Sequence, residues 1–139
     1  MHRTRLKIQL VKHEGDKRKP YQDTEGHWTI GVGRNLEAKP LSDAVVALML
    51  DEDINEARAT CQHIFPGFDT LSEGRQHALI DMAFNLGPPR LRKFVKMIAA
   101  INARDFETAA SEAIHSKWAT QVGDRAQTIA SLLRAEGAA

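Results

Sequence analysis

Apolar positions recur at helical spacing along most of this chain and at strand spacing only once, near the start. Leu6, Ile8, Leu10 and Val11 suit one or two faces of a short helix over Arg3–His13, and Gly15 is well placed to cap its C-terminus. The run Asp16–Asp23 is polar, and Pro20 forbids the helix from continuing through it. Asp23-Thr24-Glu25-Gly26 reads as a turn, and His27–Val32 has the β-branched and aromatic content of a strand. Gly31 and Gly33 flank Val32, which suggests close backbone approach or positive φ. The region predicts a small twisted hairpin, too short to be stable without helix packing.

Beyond it the pattern is helical. Asn35–Leu41 is a connector containing Pro40, and Ser42 has the character of an N-cap with Asp43 at the positive end of the dipole. Val45, Val46, Met49, Leu50, Ile54, Ala57 and Cys61 make a long amphipathic helix to about residue 62, which Pro66 and Gly67 break. Thr70-Leu71-Ser72-Glu73 has capping-box spacing and opens a helix carrying Ala78, Leu79, Met82, Ala83, Phe84 and Leu86, closed by Gly87. Pro88-Pro89 force a reset, after which Leu91, Phe94, Val95, Ile98 and Ile101 form another amphipathic stretch. Asp105 caps a helix with Phe106, Ala109, Ala110, Ala113 and Ile114 inward. Trp118 falls in the joint that follows, assigned to core packing without an aromatic partner nearby. Gly123 or Asp124 starts the last helix, with Ala126, Ile129, Leu132 and Leu133 inward and Gly137 at its end.

The fold class is therefore α+β, with a minimal hairpin lobe and a helical lobe of five or six helices. With no internal repeat or linker, the 139 residues read as one domain: a hairpin lobe at about 14–41, and a helical lobe at about 42–137 that includes the N-terminal helix.

Composition narrows the functions. The chain is 42% apolar and 27% charged, a globular balance, and its net charge of +1 argues against a dedicated nucleic-acid binder. Charge is nevertheless uneven: residues 1–20 carry seven Lys or Arg against two acids, and Arg90, Arg92, Lys93 and Lys96 form a second basic group. These are solvated faces or an attraction to an anionic polymer. The lone Cys61 excludes an intrachain disulfide and a cysteine-based zinc site, and its apolar helical setting makes it a buried, inert thiol. No stretch of eighteen apolar residues exists, and Met1–Leu10 is not a signal-peptide core, so synthesis in the cytoplasm with no export route of its own is expected.

The candidate chemistry lies in the first third. Glu14 falls at the end of the first helix, whose negative pole disfavours a second negative charge and so favours the protonated form that a general acid requires. Asp23, beside the turn and more open to water, should stay ionised, and Thr29 on the returning strand could position a water next to it. Two carboxyls in different environments across a cleft are the machinery of glycoside hydrolysis, although Glu and Asp at this spacing also arise by chance.

Glu14, eight intervening residues, Asp23, five intervening residues and Thr29 together resemble the catalytic signature of phage-type lysozymes, the endolysin family that includes the lysozyme of the T-even phages. The surrounding words match too: His13-Glu14-Gly15, Tyr21, Asp23-Thr24-Glu25-Gly26 and Thr29-Ile30-Gly31-Val32-Gly33. Downstream, Asp81-Met82-Ala83-Phe84-Asn85-Leu86-Gly87, Ser116-Lys117-Trp118, Gln121 and Asp124-Arg125-Ala126 extend the likeness from about Leu6 to Leu133. The resemblance implies a lysozyme-like fold with an active-site cleft between its lobes. It also implies hydrolysis of the β-1,4 bond between N-acetylmuramic acid and N-acetylglucosamine in peptidoglycan, probing glycan strands as a monomer without metal or cofactor. Glu14 would protonate the glycosidic oxygen, Asp23 would activate water or stabilise the oxocarbenium-like transition state, and Thr29 would hold that water in an inverting reaction. Phe84 and Asn85 would contact saccharide, and Arg125 would orient Glu14, with fixing of the fold as its alternative role. A phage or prophage endolysin of this kind would reach the wall through a separate pore protein and lyse the host.

Two departures from the family pattern stand out. Arg34 occupies a position where many members have histidine, and Asp53 falls where that histidine's acidic partner would lie, so an Arg34–Asp53 ion pair joining the lobes is expected. The connector Asn35–Leu41 is also short, which clips the hairpin lobe and puts the number of sugar subsites in doubt. A muramidase fold kept as a peptidoglycan-binding or protein-docking module with little turnover is the alternative from another class, and a lytic transglycosylase, which would need only the acid, is a third.

Overall fold

The computed structural model describes residues 1–135, so the expected end of the last helix at Gly137 lies outside the described residues. The chain divides into two compact units, Met1–Leu48 and the part from Met49 onward, with the division falling inside helix α2 (Asp43–Ile64).

In the first unit, α1 (Arg3–Glu14) begins at His2, whose ring accepts the Arg5 N–H, and ends at Gly15, whose φ of 81° and bond to the Val11 carbonyl close the helix as expected. No residue of α1 is buried, and its last turn carries Lys12 and His13, the sign that a negative helix pole favours. Strand β1 (Lys17–Gln22) pairs antiparallel with β2 (Trp28–Gly31) through Tyr21 opposite Thr29 and Gln22 opposite Trp28, with an irregularity between Lys17 and Tyr21. The turn between them is as expected, closed by the Gly26 N–H on the Asp23 carbonyl at 3.0 Å.

The hairpin expected from the sequence gains a third strand. β3 (Arg34–Asn35) pairs antiparallel with β2, which makes β2 the central strand of three. Gly31 and Gly33, at φ 66° and 63°, supply the left-handed backbone of the turn between β2 and β3. Ser42 caps α2 as anticipated, its hydroxyl accepting the Val45 N–H at 3.2 Å.

In the second unit a short 3-10 turn (Phe68–Thr70) precedes α3 (Glu73–Leu91), followed by α4 (Val95–Asn102), α5 (Phe106–Ile114), α6 (Lys117–Val122) and α7 (Asp124–Arg134). The cap of α3 is Ser72, whose hydroxyl accepts the Arg75 N–H, and not a box opened by Thr70. Thr70 belongs to the 3-10 turn and donates its hydroxyl to the Gly67 carbonyl at 2.6 Å, which removes it from capping. Within α3 the helical path is broken at Gly87 (φ 75°, ψ 165°), and Pro88–Leu91 form a separate last turn. The six-residue α6 was not expected: Ser116 caps it through the Ala119 N–H, and Trp118 lies inside it.

Leu79, Met82, Leu91, Met97, Ile101, Ile129 and Leu133 are fully buried in the core of this unit, together with Phe65 and Phe68. Ala109, Ala110 and Ala113 put small side chains on the inner face of α5, which lets α7 pack closely against it. Arg75 closes the far end, donating from Nε to the Leu133 carbonyl at 2.8 Å while its guanidinium covers the Phe106 ring at 3.6 Å. Cys61 is fully buried, and desolvation pushes its thiol up to about 12, consistent with an inert role. No helix among the described residues is long and apolar enough to cross a membrane.

Candidate active site

Glu14, Asp23 and Thr29 all belong to the first unit, where three different local devices place them. Glu14 is the last residue of α1, and its exposed side chain projects over the β2–β3 turn. The approach is so close that a Cβ on Gly33 would meet Oε2 at 2.7 Å. A side chain there would require Glu14 to shift, which gives the close approach suggested by the Gly-Val-Gly spacing a partner.

Asp23 opens the turn after β1, and its carboxylate is organised by that turn. Oδ1 accepts the N–H of Glu25 at 2.9 Å and of His27 at 2.8 Å, while Oδ2 faces the His27 ring, 3.5 Å from Nδ1. The backbone bond from His27 is the main reason the carboxyl is held below its ordinary range; partial desolvation opposes this, and the Glu25 N–H and the His27 ring add to the lowering. An ionised Asp23 is therefore what the turn is built to hold, as the sequence suggested.

Thr29 lies on the central strand and is the buried polar residue of the set, 4% exposed. Its hydroxyl donates to the His27 carbonyl at 2.9 Å, which leaves the oxygen's lone pairs free to accept from a water or a ligand. His27, which the sequence marked only as strand, thus touches both Asp23 and Thr29. The signal was present in its place between a turn aspartate and a strand threonine, but its backbone role depends on the conformation of the turn.

The remaining candidates are distributed between the units. Arg34 is half-buried in the first, its Nε without a hydrogen-bond partner among the described residues. Asp53 is exposed in the second, where it lines a cavity of about 270 Å³ together with Glu56, Thr60, Phe84 and Pro88. Phe84 is 45% exposed there, an aromatic face beside carboxylates, the combination that suits a hydroxyl-bearing ring. Asn85, its neighbour, is engaged by the protein itself: its Oδ1 accepts the Trp118 indole N–H at 2.8 Å.

Trp118 is 4% exposed, in keeping with a packing role, but it does have an aromatic partner. Phe94 meets it edge to face with ring centroids 6.1 Å apart. Arg125 is fixed on Asp81, with Nε 2.7 Å from Oδ1 and Nη2 donating to the Asp81 carbonyl at 3.2 Å. Those bonds tie α7 to α3 within the second unit. A larger cavity, about 560 Å³, is bordered by Arg90, Lys93, Lys96 and Lys117 beside Phe94.

Comparison with known proteins follows the same lines. A family model described as phage lysozyme matches residues 11–136. "Probable T4-type lysozyme 2" of Dictyostelium discoideum is 26% identical, the match covering 91% of this chain and 92% of that protein. "Probable T4-type lysozyme 1" of the same organism is 24% identical over 92% of both chains. The pre-baseplate central spike protein Gp5 of Enterobacteria phage T4 is 27% identical over 89% of this chain, a match that spans 26% of the spike protein.

Proposed function

Because the chain belongs to the phage lysozyme family, we propose that it is an active muramidase that hydrolyses the β-1,4 bond between N-acetylmuramic acid and N-acetylglucosamine in peptidoglycan. Family membership supports a muramidase-type glycosidase with peptidoglycan as its substrate. The finer reading rests on one observation: a carboxyl at a helix end, a carboxylate held ionised by turn amides and a buried hydroxyl occur together in one unit.

In this reading Glu14 protonates the glycosidic oxygen as the bond to the leaving sugar breaks. Asp23 takes a proton from water on the opposite face of the ring, and Thr29 accepts a hydrogen bond from that water. Displacement from the opposite face inverts the anomeric centre, for which the carboxyls stand about 6.5–9.5 Å apart in inverting enzymes. Phe84 offers its ring to saccharide, with Asn85 beside it. The biological role that fits is a phage or prophage endolysin, made in the host cytoplasm and passed to the wall by a separate pore protein.

Clearing of purified cell walls by the wild-type chain and by Glu14→Gln tests this. Loss of clearing in the variant is expected, equal clearing would remove Glu14 from the mechanism, and anhydro-muramic ends among the products would replace hydrolysis by transglycosylation. One observation favours a second reading. The likeness to a segment of a central spike protein suits a wall-binding or docking module carried by a larger assembly, and wall binding without clearing by the wild-type chain would select it.

A further inference from the structure

His27 is bonded to both of its neighbours in the site. Its N–H donates to Asp23 Oδ1 at 2.8 Å, and its carbonyl accepts the Asp23 N–H and the Thr29 hydroxyl, each at 2.9 Å. Its ring Nδ1 stands 3.5 Å from Asp23 Oδ2 and 3.7 Å from Glu25 Oε2. The two oxygens of Asp23 are therefore unequal. Oδ1 already accepts two backbone amides, so Oδ2 is the oxygen with lone pairs to offer a water, and the imidazole is the side chain that faces it.

We propose that His27 is a positioning residue for Asp23, leaving Oδ2 to water when its ring is neutral and drawing Oδ2 into an ion pair when its ring is protonated. The inference rests on the reading of Asp23 as the group that activates water. Imidazole changes charge between about pH 5 and 8. In the neutral tautomer that carries its proton on Nε2, protonation adds an N–H at Nδ1, and a charge-assisted bond to Oδ2 closes the gap to about 2.8 Å. That bond occupies the lone pair that water needs and weakens the carboxylate as a base.

The charged groups facing the ring are Asp23 and Glu25, both from the turn. The Glu25 side chain is 79% exposed, so its interaction with the ring is screened by water. From the paired strand β1, Arg18 is engaged with Asp16. No lysine or arginine forms an ion pair with Asp23 or Glu25 among the described residues, so no fixed cation competes with the imidazolium for Oδ2.

The test compares the full chain with His27→Gln and Asp23→Asn, using wall clearing against pH and the carbon resonance of the Asp23 carboxyl. Glutamine keeps the backbone N–H and carbonyl that hold the turn. In His27→Gln the ratio of clearing at pH 5 to clearing at pH 7.5 should rise about two- to fivefold, the range of a half-exposed ion pair. The Asp23 resonance should show a second inflection coincident with titration of the His27 ring in the wild type and none in the variant. Superimposable normalised profiles with a single inflection in both chains would overturn the proposal. Undiminished clearing by Asp23→Asn would remove Asp23 from the mechanism, and the positioning role of His27 with it. Should Gln disturb the fold, as circular dichroism would show, His27→Asn takes its place in the same comparison.

Discussion

The carboxyl of Glu14 rests against Gly33: a methyl group on that glycine would stand 2.7 Å from Oε2 and 3.1 Å from the glutamate's own Cβ. Gly33 also holds a φ of 63°, whereas Gly31, at φ 66°, has open space where its side chain would be. The pair separates backbone strain from steric contact.

Gly31→Ala should lose stability through strain alone, on the order of 1–3 kcal/mol. Gly33→Ala should lose more, and it should also displace Glu14 and depress wall clearing below that of Gly31→Ala. Urea unfolding and a clearing assay on both variants measure this. Equal stability and equal clearing would mean that Glu14 yields to the methyl group without cost.

Trp118→Phe removes the indole N–H that Asn85 accepts and part of the contact with Phe94. A loss of about 1–3 kcal/mol is expected, because the residue is buried and gives up packing along with its hydrogen bond to Asn85. Trp118→Phe combined with Asn85→Ala should cost less than the sum of the single changes, a coupling that a double-mutant cycle on unfolding midpoints detects.

Arg125 and Asp81 form a two-point contact, but their side chains are 36% and 43% exposed. Their coupling in a double-mutant cycle should therefore be modest, about 1 kcal/mol or less, and should shrink in high salt. A large fall in clearing by Arg125→Ala with little change in stability would instead assign the arginine to catalysis.

Acid stability should depend on Asp105 and Asp23. The Thr108 hydroxyl first, then the Thr108 N–H, holds Asp105 below the ordinary carboxylate range as it caps α5, and the turn amides do the same for Asp23. A depressed folded-state value means that the stabilisation is present above the unfolded value and disappears as pH falls through the folded one. Stability should accordingly fall below about pH 4. Asp105→Asn retains an acceptor for the cap and should flatten that fall, as urea midpoints at pH 7 and pH 3 would show. An unchanged acid slope would exclude Asp105 as a contributor.

Much of this fold was legible because helix ends are written locally. Gly15, Ser42 and Asp105 cap where the sequence placed them, since a capping oxygen or a glycine acts within a few residues of its own position. Ser72 displaced Thr70 because Thr70 itself ends the 3-10 turn Phe68–Thr70, whose Phe68 is buried. Strand β3, two residues long, and helix α6, six long, carry too little periodicity to register, although Ser116 and Gly123 frame α6 in retrospect. The aromatic partner of Trp118 is distant in sequence, at the cap that precedes α4, and the pairing appears only in the folded chain. Glu14, Asp23 and Thr29 were readable as a spacing. What the sequence did not disclose was that His27 ties two of them together, because that link depends on the conformation of the turn and on side-chain direction.

The break at Gly87 has a consequence for the residues before it. In an unbroken helix the carbonyls of Phe84 and Asn85 would accept from the amides four positions on, and those positions are Pro88 and Pro89, which have none to give. Those two carbonyls therefore lack the donors that serve their counterparts earlier in α3, a deficit written in by the imino acids and indifferent to which side chains surround it.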